Sequence, residues 1–151
     1  MLFPMIDHII HTERLVLIAS PLEHLEAELS SPALLGDLLG VAIPEDWPPG
    51  EYDRHALDFF HEKLKSEVPS PVGWYGWYAI MRDLCRQWEG LIGAAGYLGP
   101  PAKGSVEIGY SVLPSARGKG FAKEIVKALV APLALPSSRP LLTTANGQSN
   151  L

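Results

Sequence analysis

The residues best suited to hold an anion are the four consecutive residues Arg117-Gly118-Lys119-Gly120. They follow a β-rich run and open an amphipathic segment that extends from Gly118 to about Ala131. Glycines let the main chain approach a bulky ligand, and a helix start leaves about four amide groups without intrahelical partners. The helix dipole adds positive charge at that end. The spacing therefore predicts a site for phosphate or pyrophosphate.

Basic side chains strengthen this prediction, because Arg117, Lys119 and Lys123 gather positive charge in a chain whose net charge is -5. The loop lacks the GxxxxGK[ST] pattern of a Walker phosphate-binding loop. It also lacks the GxGxxG pattern of dinucleotide-binding loops, because Lys123 stands where the third glycine would be. On these residues alone, a simple turn with solvated basic side chains remains an alternative.

Hydrophobic periodicity places this loop in an α+β chain. The predicted strands are Thr12–Ala19, Gly76–Arg82, Gly90–Leu98, Ser105–Leu113 and Pro140–Thr144, and the predicted helices are Leu22–Leu29, Pro32–Leu39, Arg54–Leu64 and Gly118–Ala131. The breaks between the three middle strands are short, which favours antiparallel hairpins. The last strand follows a helix and should run parallel to the strand before it. We therefore expect a mixed, mostly antiparallel sheet flanked by helices.

Length and composition bound the remaining possibilities. A chain of 151 residues with 47% apolar and 19% charged residues predicts a single globular domain over residues 1–151. The negative net charge disfavours nucleic acid as a partner. The single Cys85 excludes an internal disulfide and a cysteine-based zinc site, and the histidines have no metal-ligand spacing, so no metal is expected. Without a signal peptide or a membrane-spanning run, we expect a cytoplasmic protein and no membrane partner.

A longer stretch of sequence carries a family resemblance. EIGYSVLPSARGKGFAKE, from Glu107 to Glu124, resembles the core of the GCN5-related N-acetyltransferase (GNAT) family. The family's coenzyme A loop, [Q/R]-x-x-G-x-[G/A], is matched by Arg117 to Ala122. The run TERLVL and the tail pattern T-x-x-N-x-x-S resemble the branch that includes ribosomal-protein N-terminal acetyltransferases. The likeness covers Thr12 to Leu151, with a diverged middle around Leu39 to Val72.

The resemblance implies a GNAT-like fold and acetyl-CoA as co-substrate. It also implies a bulge that splays the Val106–Leu113 strand from the next strand, with pantetheine in the opening. The residues implied to bind the coenzyme are Ser111, Val112 and Leu113 through the strand main chain, Arg117, Gly118, Lys119, Gly120, Phe121 and Ala122 through the loop, and Asn146 in the tail.

The implied reaction is acetyl transfer to a primary amine by direct attack on the thioester. The acceptor is a protein N-terminus or a small-molecule amine. A lysine-like amine has a pKa of about 10.4, so a base is needed near neutral pH. Glu107 is the candidate, since period-2 alternation puts it on one strand face with Gly109 and Ser111. A structural hydrogen bond or salt bridge is the alternative role for Glu107.

Aromatic residues are candidates for the acceptor pocket. Trp47 and Tyr52 lie where this branch places its substrate-contacting loop. The cluster Trp74, Tyr75, Trp77 and Tyr78 favours core packing over a pocket. The pair His24 and Glu28, four residues apart on a predicted helix, reads as a solvated face.

The chain ends at Leu151, directly after the N-x-x-S motif, whereas GNAT relatives continue with a helix and two further strands. Leu141 to Thr144 would then form an exposed edge. Three explanations stay open: a shortened chain, a truncation that lowers activity, or a sheet edge covered by a second copy in a homodimer. A catalytically impaired coenzyme A-binding module is therefore the alternative function. A nucleotide-phosphate binder unrelated to acetylation is a third.

Overall fold

The computed structural model describes residues 7–50, 52–82, 88–133 and 141–144. Its elements in chain order are β1 (Ile9–His11), β2 (Leu15–Ala19), α1 (Leu22–Ser30), α2 (Pro32–Leu39), α3 (Arg54–Ser66), β3 (Gly76–Arg82), β4 (Trp88–Tyr97), β5 (Ser105–Val112), α4 (Phe121–Val130) and β6 (Leu141–Thr144). Cys85 and Asn146 lie outside the described residues. No helix in the described ranges is long and apolar enough to cross a membrane.

The six strands form one sheet in which spatial order follows chain order. Neighbouring strands pair antiparallel from β1 to β5, and β5 pairs with β6 in parallel. The α+β prediction, the two antiparallel hairpins and the parallel last pair are therefore confirmed. β1 was not predicted from the sequence. It is only three residues long, so its alternation carries too little signal, and its pairing with β2 defines it.

Helices cover both faces of the sheet. Tyr78 on β3 donates a hydrogen bond to Glu28 of α1, which places α1 on one face. Tyr97 on β4 points to the opposite face, where its hydroxyl donates to the main-chain oxygen of Leu129 in α4 over 2.6 Å. The aromatic residues predicted to pack in the core do so, since Trp74, Tyr75, Trp77 and Tyr78 are all buried.

The helix starts differ in how they are capped. Ser31 and Asp53 accept hydrogen bonds from the amides of Ala33 and Ala56, which are standard side-chain caps for α2 and α3. α4 begins after Gly120 with no side-chain cap. It also begins later than Gly118, the predicted start, because Gly118 and Gly120 have φ values of 77° and 82° that a right-handed helix does not allow. The α4 start therefore differs from the other two.

Candidate active site

The predicted anion loop joins β5 to α4 at the protein surface. A single turn of 3-10 helix, Pro114–Ala116, leads from the strand into the loop. Arg117, Gly118, Lys119 and Gly120 are all exposed. The positive φ values of both glycines require residues that tolerate the left-handed region, and this requirement accounts for the Gly-x-Gly spacing.

The first turn of α4 presents main-chain amides at the end of this loop. The first intrahelical bond of α4 runs from the amide of Glu124 to the oxygen of Gly120 over 3.2 Å. The amides of Phe121, Ala122 and Lys123 precede that bond, so helix geometry gives them no intrahelical partner. The side chain of Phe121 is buried and that of Ala122 half-buried, so only the main chain of these two residues can serve a ligand at the surface. This arrangement suits an anion.

Arg14 holds the loop in place from the other end of the chain. Its Nη1 atom donates to the main-chain oxygen of Lys119 over 2.9 Å, and its guanidinium carbon lies 4.3 Å from the ring centroid of Phe121. Its Nε atom donates to Glu124 over 2.8 Å. Arg14 thus contacts the loop and the first turn of α4 at once. No local pattern in the sequence predicts this contact.

Glu124 receives several donors from the segment before β2. The Thr12 hydroxyl donates to it over 2.5 Å and the Arg14 amide over 2.8 Å. Partial burial raises the pKa of Glu124, but these hydrogen bonds and the Arg14 charge outweigh burial and hold its pKa below the ordinary value. Glu124 therefore remains ionised near neutral pH and anchors α4 to the TERLVL run.

Arg117 has a structural contact within the turn. Its Nε atom donates to the main-chain oxygen of Val112 over 2.9 Å. Arg117 was predicted as a coenzyme contact, and this bond ties the start of the loop to the end of β5. The guanidinium group thereby fixes the distance between the strand and the loop.

The pairing of β5 with β4 sets where its main-chain groups point. The amide of Leu113 donates to the oxygen of Ile92 over 2.8 Å. Because successive residues of a strand point these groups to opposite sides, the main-chain groups of Ser111 also point toward β4 and those of Val112 point away. Of the three residues implied as pantetheine partners, Val112 alone has its amide on the side away from β4.

β6 borders β5 on the side that Val112 faces. Their register runs from Ser105 opposite Leu141 to Ile108 opposite Thr144. Within the described part of the chain, β6 does not reach as far as Val112. The bulge implied for this strand is absent from its ladder with β4, where the register is regular, and the register shifts lie between β3 and β4.

A cavity of about 230 Å³ lies between α3 and the face of β4 and β5, and we call it the α3 cavity. Its lining includes Tyr52, Ala56, Phe60, Leu98, Gly109 and Ser111. Small residues oppose each other across the two strands, Gly96 with Gly109 and Ala94 with Ser111. These small residues leave room beneath α3, directly beside the stretch of β5 that follows Ile108.

A buried carboxylate lies behind one wall of the α3 cavity. Glu28 of α1 accepts hydrogen bonds from Trp47 Nε1 over 2.8 Å, from the Tyr52 hydroxyl over 2.9 Å and from the Tyr78 hydroxyl over 2.6 Å. Burial raises the pKa of Glu28, and the three hydrogen bonds offset that rise only in part. The interpretation of Glu28 as part of a solvated face is wrong, because the residue is 6% exposed.

The same cluster shows where the neighbours of Glu28 lie. Trp47 and Tyr52, predicted in a substrate-contacting loop, are both buried, and Tyr52 lines the α3 cavity. His24 lies on the same helix as Glu28, and burial lowers the pKa of its imidazole. A sequence signal for Glu28 existed, since it follows the fully buried Leu25 by three residues and so shares its helix face.

Glu107, the predicted base, lies on β5 two residues before Gly109, which lines the α3 cavity, and is not itself among the described lining residues. Its side chain is exposed on β5. Leu98 donates its amide to the main-chain oxygen of Glu107 over 2.9 Å, and both Leu98 and Gly109 line the cavity. The structure thus brings Glu107 onto the same sheet face as the cavity, and Gly109, two residues along the strand, lies only about 7 Å away. Asn146, the remaining predicted coenzyme contact, lies outside the described residues.

Comparisons with known proteins identify the family of this chain. A family model described as the acetyltransferase (GNAT) domain matches residues 15–137. A solved Vibrio cholerae structure, whose protein carries the provisional name ribosomal-protein-serine acetyltransferase, aligns at 17% identity with a TM-score of 0.47. The alignment covers 82% of this chain and 65% of that chain, so this chain spans less than two thirds of that protein's length. No curated protein matches this chain.

Proposed function

This chain belongs to the GNAT acetyltransferase domain family, and on that premise we propose that it is an acetyl-CoA-dependent N-acetyltransferase acting on a primary amine. Membership of the family supports acyl transfer in general. The choice of acetyl-CoA as donor, and of a primary amine as acceptor, is the part that we propose. The acceptor is the N-terminus of a protein or a small-molecule amine.

One structural observation supports the proposal most strongly. The Val112 amide at the end of β5 points away from β4, and β5 continues through one turn into the uncapped start of α4. A long ligand with an anionic end fits such a site, because the strand edge offers Val112 for amide pairing and the helix start offers free amides for phosphate oxygens. Acetyl-CoA has this shape, with a pantetheine arm and a pyrophosphate.

The residues that we propose to hold the coenzyme follow from this geometry. The amides from Gly118 to Ala122 bind the pyrophosphate, with Lys119 adding an exposed positive charge. The Val112 amide pairs with the pantetheine arm. Arg117 positions the end of β5 by its hydrogen bond to the Val112 carbonyl. Arg14 positions the loop by its hydrogen bond to the Lys119 carbonyl. Ser111 and Leu113 shape the strand end without donating their amides to the ligand, and Asn146 stays a proposed contact.

The chemistry at the thioester is a direct displacement. The neutral amine forms a C–N bond to the acetyl carbonyl carbon, the C–S bond breaks, and the coenzyme leaves as a thiolate that takes up a proton. The negative charge that develops on the carbonyl oxygen requires a hydrogen-bond donor near the thioester. Glu107 accepts the proton of the acceptor ammonium, directly or through water, from its exposed position on β5 two residues before the cavity-lining Gly109.

A coenzyme A-binding module without turnover is the second candidate function. It shares the loop, the α4 start and the β5 edge with the first, so binding alone does not separate the two. Thiol release on addition of an amine does separate them.

The binding part of the proposal is tested by thermal unfolding. A ligand that binds only the folded state stabilises it by about 2.7 kcal/mol when present at 100 times its Kd. We expect acetyl-CoA and coenzyme A to raise the Tm, and ATP at the same concentration to raise it much less. An equal rise with ATP would favour a general nucleotide-phosphate binder.

A further inference from the structure

We propose that the α3 cavity selects the acceptor, taking compact amines whose only charge is the reacting ammonium and rejecting polyamines and aminoglycosides. This inference rests on the proposed acetyl transfer, because it names the acceptor class of that reaction. Its location supports it: Gly109 and Ser111 line the cavity and belong to the stretch of β5 that ends at Val112. An amine that reacts beside this stretch of β5 therefore places the group attached to its nitrogen in the cavity.

The lining carries no charge. Among the described residues that form the α3 cavity, every side chain is apolar, aromatic, hydroxyl-bearing or absent, as with Tyr52, Phe60, Leu98 and Ser111. A polyamine carries its second ammonium three or four carbons from the first, which puts that charge inside the cavity. Moving an ammonium out of water without a partner is strongly unfavourable. A compact apolar substituent instead gains from burial against the two rings.

Glu28 lies behind the cavity wall, and its contacts argue against a role as counter-ion to an ammonium in the cavity. One of its oxygens accepts from Trp47 and the other accepts from both Tyr52 and Tyr78. It stands behind Tyr52 and is not among the residues that line the cavity. Because burial raises the pKa of Glu28, its negative charge is also disfavoured. The carboxyl group therefore fixes Tyr52 as a wall and offers no free oxygen to a cation.

Cavity size sets an upper limit on the substituent. A volume of about 230 Å³ lies below the roughly 300 to 1,000 Å³ of typical ligand pockets. It therefore favours a small group, such as one amino-acid side chain or a phenylethyl group. An aminoglycoside ring system is larger than this and carries several charges.

The test compares two amines on three proteins. Phenethylamine is the compact probe and spermidine is the polycationic probe. The variants are Ala56→Leu, which fills the cavity from α3, and Ala33→Leu, the same change at an exposed position of α2 away from the cavity. Each protein is saturated with coenzyme A, and amine binding is measured by calorimetry. Acetyl transfer from acetyl-CoA is measured in parallel by thiol release.

The expected pattern is specific. Wild type and Ala33→Leu bind phenethylamine at least about 100-fold more tightly than spermidine, because the second ammonium has no partner. Ala56→Leu weakens phenethylamine binding by about tenfold or more, since added methylenes occupy the pocket. Acetyl-CoA binding is unchanged in both variants, which shows that they are folded.

Two results overturn the inference. One is spermidine binding as tightly as phenethylamine, and the other is phenethylamine binding that Ala56→Leu leaves unaltered. Thiol release from neither amine, with the expected binding pattern intact, would refute the proposed transferase activity and leave the cavity's selectivity supported. Amine binding thus tests the selectivity of the cavity, and thiol release separately tests the transferase activity.

Discussion

Arg14 and Glu124 form a salt bridge of 2.8 Å between residues 110 positions apart in the chain. The bridge joins the segment before β2 to the first turn of α4, and Arg14 extends from it to the Lys119 carbonyl. Two segments that are distant in the sequence thereby position the anion loop together. The TERLVL run, which carries part of the family resemblance, thus also holds the loop in place, because Arg14 belongs to it.

Replacing Arg14 should weaken both the fold and the coenzyme site. We expect Arg14→Ala to lower the free energy of unfolding by about 1 to 2 kcal/mol, since charged hydrogen bonds are lost at a half-exposed position. The affinity for acetyl-CoA should fall by about tenfold as the loop loosens. Thermal unfolding and calorimetric titration measure the two effects.

Arg54→Ala is the matched control for Arg14→Ala. Arg54 pairs with Asp58 over 3.2 Å on the exposed side of α3. Such pairs contribute about 0.3 to 0.5 kcal/mol, so this variant should bind acetyl-CoA like wild type. Equal losses of coenzyme affinity in the two variants would contradict a specific role for Arg14 at the loop.

The loop glycine Gly118 should matter for the ligand more than for the fold. Gly118 and Gly104 have φ values of 77° and 76°, and an added Cβ has open space at both. Changing either to Ala should therefore cost the same backbone strain, about 1 to 2 kcal/mol. Only Gly118→Ala should weaken acetyl-CoA binding, because only Gly118 lies in the anion loop. Similar affinities for both variants would remove the loop from the binding site.

Glu28 should stabilise the fold through its three donors. Glu28→Ala leaves Trp47, Tyr52 and Tyr78 without their acceptor and should lower the free energy of unfolding by about 3 kcal/mol. Glu26→Ala, at an exposed position on the same helix, should change it by less than about 0.5 kcal/mol. Urea unfolding of the two variants compares them, and a loss in Glu28→Ala as small as in Glu26→Ala would argue against the cluster.

The raised pKa of Glu28 also predicts a pH dependence. Its pKa is 4.5 in the unfolded chain and higher in the folded protein. The Glu28 carboxyl group therefore binds a proton more tightly in the folded state than in the unfolded chain. The stability gained from this difference is fully present below pH 4.5, and it is lost as pH rises through the pKa that Glu28 has in the folded protein. Glu28→Gln should lack this dependence. A Tm difference between wild type and Glu28→Gln that stays constant above pH 4.5 would contradict the raised pKa.

Glu107 should control turnover rather than binding. If it removes the proton of the amine, Glu107→Gln should lower kcat by about 10² to 10⁴ while acetyl-CoA affinity stays the same. The measurement is the pH profile of turnover from about pH 6 to 9, either side of neutrality. Turnover near wild type across that range removes Glu107 from the mechanism and leaves it a structural or solvated residue.

Local patterns predicted the elements of this fold well. Alternation located β3 over Gly76–Arg82, and the amphipathic stripe located α4 apart from its first residues. The α4 start was missed because the positive φ values of the two loop glycines are not visible in a hydrophobic pattern. The anion loop itself needed only residue types and their order.

Contacts between distant segments were not predictable in the same way. No periodicity links Arg14 to Glu124, and the burial of Glu28 depends on Trp47 and Tyr52 folding back onto α1. The direction of the Val112 amide depends on strand register, which a single sequence leaves open. The proposed acceptor cavity therefore required the structure, whereas the proposed coenzyme loop had a signal in the sequence.

The proposed acetyl transfer is tested most directly by following both products of the reaction. Purified protein is mixed with acetyl-CoA and a compact primary amine, and free coenzyme A and the N-acetylated amine are quantified by thiol titration and mass spectrometry. We predict that the two appear in equal amounts, at a rate that Gly118→Ala lowers and Gly104→Ala does not. Tight acetyl-CoA binding with neither product above the protein-free background would contradict transferase activity and leave a coenzyme A-binding module.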